Sequence, residues 1–303
     1  MSKSTKWFLV IFGILALFGV GLLLLFYSAF QSVGESSREV VTIGRGDKLA
    51  VVELLGAIES SESVVRQIKK YRDDKSIKGI LLRIDSPGGA VVPSQEMYEE
   101  VKKTRDGGKP VVVSMGSLAA SGGYYVACGG SKLVANRGTL TGSIGVIGEF
   151  LQFHEAMSKL GIQSKTIKSG KLKDAGVPTK PMSKDAELYF QSLMDDVHRQ
   201  FIRVVERERD LDHEFAVELA DGRVFTGEKA VKFGLVDTLG TFEDAIEIAA
   251  SLAGIEGEPS IVRERERRGW FDRMFGEVGE SVKDLKQALL QKPVLSYRYA
   301  GPY

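Results

Sequence analysis

Cysteine is nearly absent: Cys128 is the only one in 303 residues, which excludes an internal disulfide framework and a cysteine-rich metal site. Its apolar, glycine-flanked setting marks a small core residue. Histidine is almost as scarce. His154, His198 and His213 each fall in a predicted helix among charged neighbours, where a side chain faces solvent rather than serving as base or ligand. No His/Asp/Glu cluster has metal-ligand spacing, and no glycine turn has the Gly-x-x-x-x-Gly-Lys-Ser/Thr spacing of a phosphate cradle. Neither metal nor cofactor is expected. An excess of one charge is missing too: 41 Lys and Arg stand against 40 Asp and Glu, a net +1, so nothing global attracts nucleic acid. Internal repeats and low-complexity tracts are absent.

What the chain does have begins at its N-terminus. Residues 7–30 carry no charge and are dominated by Leu, Phe, Val, Ile and Gly. A bilayer core takes about 20 apolar residues, whereas the apolar core of a cleaved signal peptide is only about 7–15. Ser28-Ala29-Phe30 is a poor cleavage site, so an uncleaved transmembrane helix is expected. Lys3 and Lys6 precede it, and Glu35, Arg38 and Glu39 follow. This asymmetry predicts a single-pass cell-membrane protein with a cytoplasmic N-terminus and an extracytoplasmic body. Four segments follow: 1–30 as N-terminus and anchor, 31–47 as a polar linker, 48–254 as the main domain, and 255–303 as an amphipathic tail.

Over 48–254, strand-like and helix-like segments alternate. Apolar runs predict strands at 49–55, 77–84 and 110–115, with shorter ones at 132–135, 144–147 and 163–167. Helical spacing predicts helices at 61–73, with Ser61 as a cap, and at 93–104, 153–160, 183–209 and 241–252. Residues 222–230 read as a strand, a turn capped by Thr226 and a short helix. The alternation implies a layered α/β domain with parallel strands. In the tail, the apolar residues from Trp270 to Leu289 have near-helical spacing, and 293–303 reads as extended and aromatic.

The chemistry centres on Ala119-Ala120-Ser121-Gly122-Gly123-Tyr124-Tyr125. Its small neighbours let a peptide backbone approach the Ser121 hydroxyl, a candidate nucleophile at a turn into a helix. Asp85-Ser86-Pro87-Gly88-Gly89 ends a strand upstream, where Gly88 and Gly89 can present backbone N–H groups to an oxyanion. The N–H of Gly122, just after the serine, is the usual second donor. With no histidine placed as base, lysine is the alternative, provided its amine is sheltered. Lys173 lies in a glycine-containing loop, with Lys165, Lys168, Lys171 and Lys180 as rivals. Ser143, in Thr141-Gly142-Ser143-Ile144-Gly145, either orients an amine or caps a turn. The combination points to acyl transfer by a serine with a lysine base.

These motifs, with Ser169-Gly170-Lys171-Leu172-Lys173-Asp174 and Gly222-Arg223-Val224-Phe225-Thr226-Gly227, occur in the order and approximate spacing of the short-form signal peptide peptidase A family over about residues 48–254. The chain resembles that family, membrane-anchored serine–lysine peptidases related to the Clp protease and crotonase folds. The resemblance implies an α/β, Clp protease/crotonase-like layered β-β-α superhelix. It implies Ser121 as nucleophile, Lys173 as general base because the family's lysine directly precedes an acidic residue, and Ser143 as the serine bonded to the amine. Gly88 or Gly89, with Gly122, match the oxyanion donors. Leu172 departs from the aromatic residue often found before the lysine, which keeps Lys171 in view. The resemblance also implies remnant signal peptides and other apolar peptides as substrates, a ring, commonly a homo-octamer, in which neighbouring subunits share each site, and a tail that in some relatives enters an active site. The alternatives are a quality-control peptidase for misfolded membrane proteins, a noncatalytic scaffold of the same fold, and a crotonase-like acyl-CoA enzyme. The last needs neither Ser121 in its motif nor an anchor.

Overall fold

The computed structural model describes residues 38–266 and 296–298, with Trp7, Gly13, Phe18, Gly19 and Gly21 as isolated positions. The chain divides into two compact units, Met1–Val41 with Glu264–Gln291, and Thr42–Arg263 with Lys292–Tyr303. The predicted anchor over 7–30, those isolated positions apart, and the amphipathic stretch over 270–289 lie outside the described residues. Among the described residues no helix is long and apolar enough to cross a membrane.

In chain order the elements are β1 (Arg38–Ile43), β2 (Lys48–Leu55), α1 (Glu62–Asp73), β3 (Ile77–Ser86), β4 (Gly88–Ala90), α2 (Val91–Asp106), β5 (Val111–Ala120), α3 (Gly122–Ala127), β6 (Lys132–Ala135) and β7 (Leu140–Gly142). Then come α4 (His154–Lys159), α5 (Lys184–Arg209), α6 (His213–Leu219), β8 (Val224–Thr226), α7 (Gly227–Lys232), β9 (Thr238–Leu239), α8 (Phe242–Leu252), β10 (Ser260–Glu266) and β11 (Ser296–Arg298). In the larger unit the sheet runs β10-β2-β3-β5-β6-β9, every pair parallel. β7 also pairs with β5, and β8 lies antiparallel to β7.

Both faces of the sheet are covered, which is why its strands are apolar runs rather than alternating ones. Side chains still alternate between faces. Ala50, Val52, Ile80, Leu82, Ile84, Val111 and Val113 join one core with residues of α1, α2, α3 and α5. Leu49, Val51, Leu81, Val112 and Val134 face Ala245, Ala249 and Ala250 of α8. Two later helices, α7 and α8, start from side-chain caps. Thr226 accepts from the N–H of Lys229, and Thr241 and Asp244 form a capping box. Ser61 sits at the N-cap of α1 but makes no capping bond; its hydroxyl donates to Glu96 of α2 instead.

Several expectations change. Residues 144–147 are not a strand: only Ile147 forms a bridge, to Ser296. Residues 163–167 are exposed coil; among the described residues no strand takes their backbone, and propensity alone does not hold a strand. Conversely, β1 lies inside the predicted linker, and β10 follows the domain's expected end, paired to β2 with Ser260 opposite Lys48.

Candidate active site

Ser121 stands where β5 turns into α3, at φ 52° and ψ −115°. A non-glycine residue at positive φ is strained, and such strain persists where surrounding bonds over-determine it. Two do so here: the Ser121 N–H donates to Gly142 O at 2.8 Å, and its carbonyl accepts from Tyr125 N–H at 2.8 Å. The Ser121 Oγ is fully buried and has no hydrogen-bond partner among the described residues. A buried hydroxyl left unpaired is costly, so this one is held by its frame and not by its own bonding. The turn has a strand–turn–helix form, with Ser121 between the end of β5 and the start of α3.

Gly88, Gly89 and Gly122 come together beside it. Gly88 has φ 90°, and a Cβ there would lie 2.5 Å from Gly122 N. The Gly88 N–H donates to Ser86 Oγ at 3.1 Å. Gly88 O accepts from Ile58 N–H, and the Ala90 N–H donates to Ile58 O. Because successive residues of a strand present their polar groups to opposite sides, Gly89 directs its N–H and C=O away from Ile58. Of the two glycines expected to supply an oxyanion donor, Gly89 is thus the one whose N–H faces the cleft. Gly122 is the first residue of α3, where helical N–H groups lack an internal partner. A Cβ on Gly122 would lie 3.2 Å from Gly89 N and 2.6 Å from Ser94 Oγ.

The cleft is filled by the chain's own tail. β11 runs antiparallel to β4, with Tyr297 opposite Gly89. On its other side, Ser296 and Ile147 exchange both main-chain bonds, at 3.0 and 3.1 Å. A Cβ on Gly88 would lie 2.1 Å from the Tyr297 carbonyl oxygen, and one on Gly122 3.2 Å from it. The Tyr297 side chain is fully buried. It stacks on Tyr125 with ring centroids 5.2 Å apart, packs on Phe201 at 4.8 Å, and donates its phenol to Val197 O at 3.2 Å. Burial pushes the Tyr297 phenol well above its ordinary pKa, so it remains a donor. This aromatic pocket and the Ile147 wall were missed by sequence reasoning; the aromatic character of 293–303 was their one signal.

Ser143 is placed near Ser121 by the β5–β7 pairing, in which Ala120 stands opposite Gly142. It too has positive φ, 51°, and its N–H donates to Arg223 O at 2.9 Å. Its side chain is buried, with no hydrogen bond among the described residues. His198, expected to face solvent, is half-buried, with Nε2 3.2 Å from Ile144 O.

Lys173 is exposed, and its amine has no partner among the described residues. The structure does not bring it to Ser121 or Ser143 by any hydrogen bond. Its neighbours are engaged: Lys168 and Lys180 both bind Asp174, and Lys171 binds Asp185. The hydrogen bonds from Lys168 and then Lys180 hold the Asp174 carboxyl down to about 2. Of the four lysines from 168 to 180, Lys173 alone is left free among the described residues. No metal-binding cluster occurs among the described residues.

The sequence profile of peptidase family S49 matches residues 103–256, which include Ser121, Ser143 and Lys173. The chain belongs to peptidase family S49. A putative protease of Synechocystis sp. is 43% identical over 210 residues, 69% of this chain and 76% of that protein. A putative protease of Methanocaldococcus jannaschii is 35% identical over 82% of this chain and 88% of its own length. A putative signal peptide peptidase SppA of Enterococcus faecium is 39% identical over 61% of this chain and 54% of its own. As an S49 member the chain is a peptidase on a largely parallel α/β scaffold.

Proposed function

We propose that this chain is a membrane-anchored serine endopeptidase that cleaves extended apolar peptides, remnant signal peptides among them. Ser121 is its nucleophile, Lys173 its general base, and Ser143 the residue that orients the amine. One observation carries the reading: an extended segment lies along β4 with its Tyr297 carbonyl against Gly88 and Gly122, one residue from the unpartnered Ser121 hydroxyl. A substrate lying the same way places its scissile carbonyl there. Ser121 Oγ attacks that carbon as Lys173 Nζ takes its proton, and the N–H groups of Gly89 and Gly122 hold the oxyanion. Collapse expels the amine, which receives the proton from Lys173. Water, deprotonated by the Lys173 amine, then attacks the ester, and Ser121 Oγ leaves with the proton returned from Lys173.

A lysine base has to be sheltered from water. Lys173 is exposed here, so its shelter comes from a second copy. Its loop carries exposed apolar side chains at Leu160, Ile162, Ile167 and Leu172, with Leu188 and Tyr189 on the adjoining helix. They support burial against a neighbour in a homo-oligomeric ring, an octamer on the family resemblance, with serine and lysine contributed by different subunits. The uncharged stretch over 7–30 supports a membrane anchor, with the peptidase unit extracytoplasmic.

The experiment is hydrolysis of short apolar fluorogenic peptides by the wild type, Ser121→Ala and Lys173→Ala, with assembly mass recorded for each. Loss in both variants, with assembly intact, is expected. Retained turnover in Lys173→Ala moves the base to Lys171 or to His198. Turnover in Ser121→Ala ends the serine reading.

The seating of β11 favours one further reading: the tail competes with substrate for this cleft and holds the peptidase in check.

A further inference from the structure

β3 and β5 stay in register from Ile80 opposite Val111 to Ile84 opposite Met115, and the next pair is Ser86 with Ala119. Asp85 alone therefore stands against Gly116, Ser117 and Leu118. An excess of this kind leaves main-chain groups of the longer strand without ladder partners. Here a side chain supplies the missing partner: Asp85 Oδ1 accepts from the Leu118 N–H at 3.0 Å. Gly116 makes room for the carboxyl group, since a Cβ there would lie 2.7 Å from both Asp85 Cγ and Oδ2. The freed Gly116 carbonyl accepts from Thr139 Oγ1 at 2.7 Å.

The bulge is also where β5 changes neighbours. Val112 to Ser114 pair with β6, whereas Leu118 to Ala120 pair with β7. Ser121 follows at once, its strained turn closed by the bond to Gly142, the last residue of β7. The main chain of Asp85 serves the other side of the cleft. Its carbonyl accepts from Gly56 N–H at 2.9 Å, on the segment leading to Ile58, which pairs with β4.

We propose that Asp85 is a positioning residue for Ser121. Its carboxyl group acts as a substitute ladder acceptor that fixes where β5 leaves β6, and so sets the Ser121 hydroxyl against the Gly89 and Gly122 donors. The role needs an acceptor oxygen and no charge. A displacement of about 1 Å at a reacting group costs about 10²-fold in rate, which sets the scale. This inference rests on the reading of Ser121 as nucleophile.

The test compares Asp85→Ala and Asp85→Asn in the full chain, measuring kcat, KM, assembly mass and amide hydrogen exchange over 116–121. Alanine removes the acceptor: kcat is expected to fall about 10- to 100-fold at unchanged KM, with faster exchange over 116–121 and normal assembly. Asparagine keeps an acceptor oxygen and is expected to restore kcat to within about threefold of wild type and to return exchange to the slow rate. Unchanged kcat and exchange in Asp85→Ala overturn the proposal. So does an Asp85→Asn chain that exchanges slowly yet is as inactive as alanine, because that result assigns the role to charge. If Asp85→Ala does not assemble, Gly116→Ala, whose Cβ displaces the carboxyl group, is measured in its place with the same expectations. Failure of the nucleophile reading is told apart by Ser121→Ala: if that variant retains turnover, the serine reading fails whatever the exchange data give.

Discussion

The carbonyl oxygen of Tyr297 lies so close over Gly88 that a Cβ at Gly88 would stand 2.1 Å from it. The same Cβ would lie 2.5 Å from Gly122 N, and φ at Gly88 is 90°. Both neighbours are main-chain atoms, one of the cleft and one of the segment lying in it, so a side chain here takes the place of that segment's carbonyl. Gly88→Ala is therefore expected to exclude any extended peptide from the cleft and to disturb the donors beside it. Losing one oxyanion donor alone lowers kcat about 10²–10³-fold, and peptide hydrolysis by Gly88→Ala should fall by at least that much. A variant with near-normal turnover would mean that substrate does not lie where β11 lies.

Tyr297 anchors the tail through a fully buried ring and one bond from its phenol to Val197 O. Truncating a buried aromatic to alanine costs about 3–5 kcal/mol, which shifts β11 from docked to free. If the tail occupies the substrate's place, Tyr297→Ala hydrolyses short apolar peptides faster than wild type, and Tyr297→Phe falls between the two. Initial rates at equal subunit concentration decide it. A slower Tyr297→Ala enzyme of normal assembly would make β11 a structural part of the cleft instead.

The sequence made the long buried elements legible because each carries its own signal. β2, β3 and β5 are continuous apolar runs that need cover on both faces, and α5 and α8 show helical spacing with caps. The glycine motifs marked Ser121, Gly88, Gly89 and Gly122, which the fold does bring together. A tail reaching the active site was expected from the family resemblance; what stayed hidden depends on partners distant in the chain. β11 is three residues long and meets β4 about two hundred residues upstream. β10 mixes charges with Ile261 and Val262, and its strand character comes from pairing with β2. The shelter expected for Lys173 is not found among the described residues, since its loop is exposed. The role of Asp85 depends on a mismatch of register that no single segment displays.

Cys128 offers a control on the core beneath the site. Burial pushes its thiol up to about 12, so at pH 8 it stays neutral and closed to reagents. Thiol labelling at pH 8 should be negligible in the native protein and complete in denaturant. The sign of the pH effect follows from the upward shift. The native state holds the proton more tightly, so this contribution is complete below the unfolded thiol's value of about 8.5 and is lost as pH rises toward 12. Unfolding midpoints measured in denaturant between pH 8 and 10 should fall more steeply for wild type than for Cys128→Ala. Rapid native labelling would contradict the buried placement.

Mixing inactive subunits shows whether Ser121 works with a lysine from another copy. Ser121→Ala and Lys173→Ala are each purified, combined in equal amounts, dissociated and reassembled. Random assembly of a ring with shared sites gives roughly a quarter of the sites both wild-type residues, and recovered peptidase activity on that scale is expected. Mixed rings of normal mass that stay inactive would contradict a shared serine–lysine site.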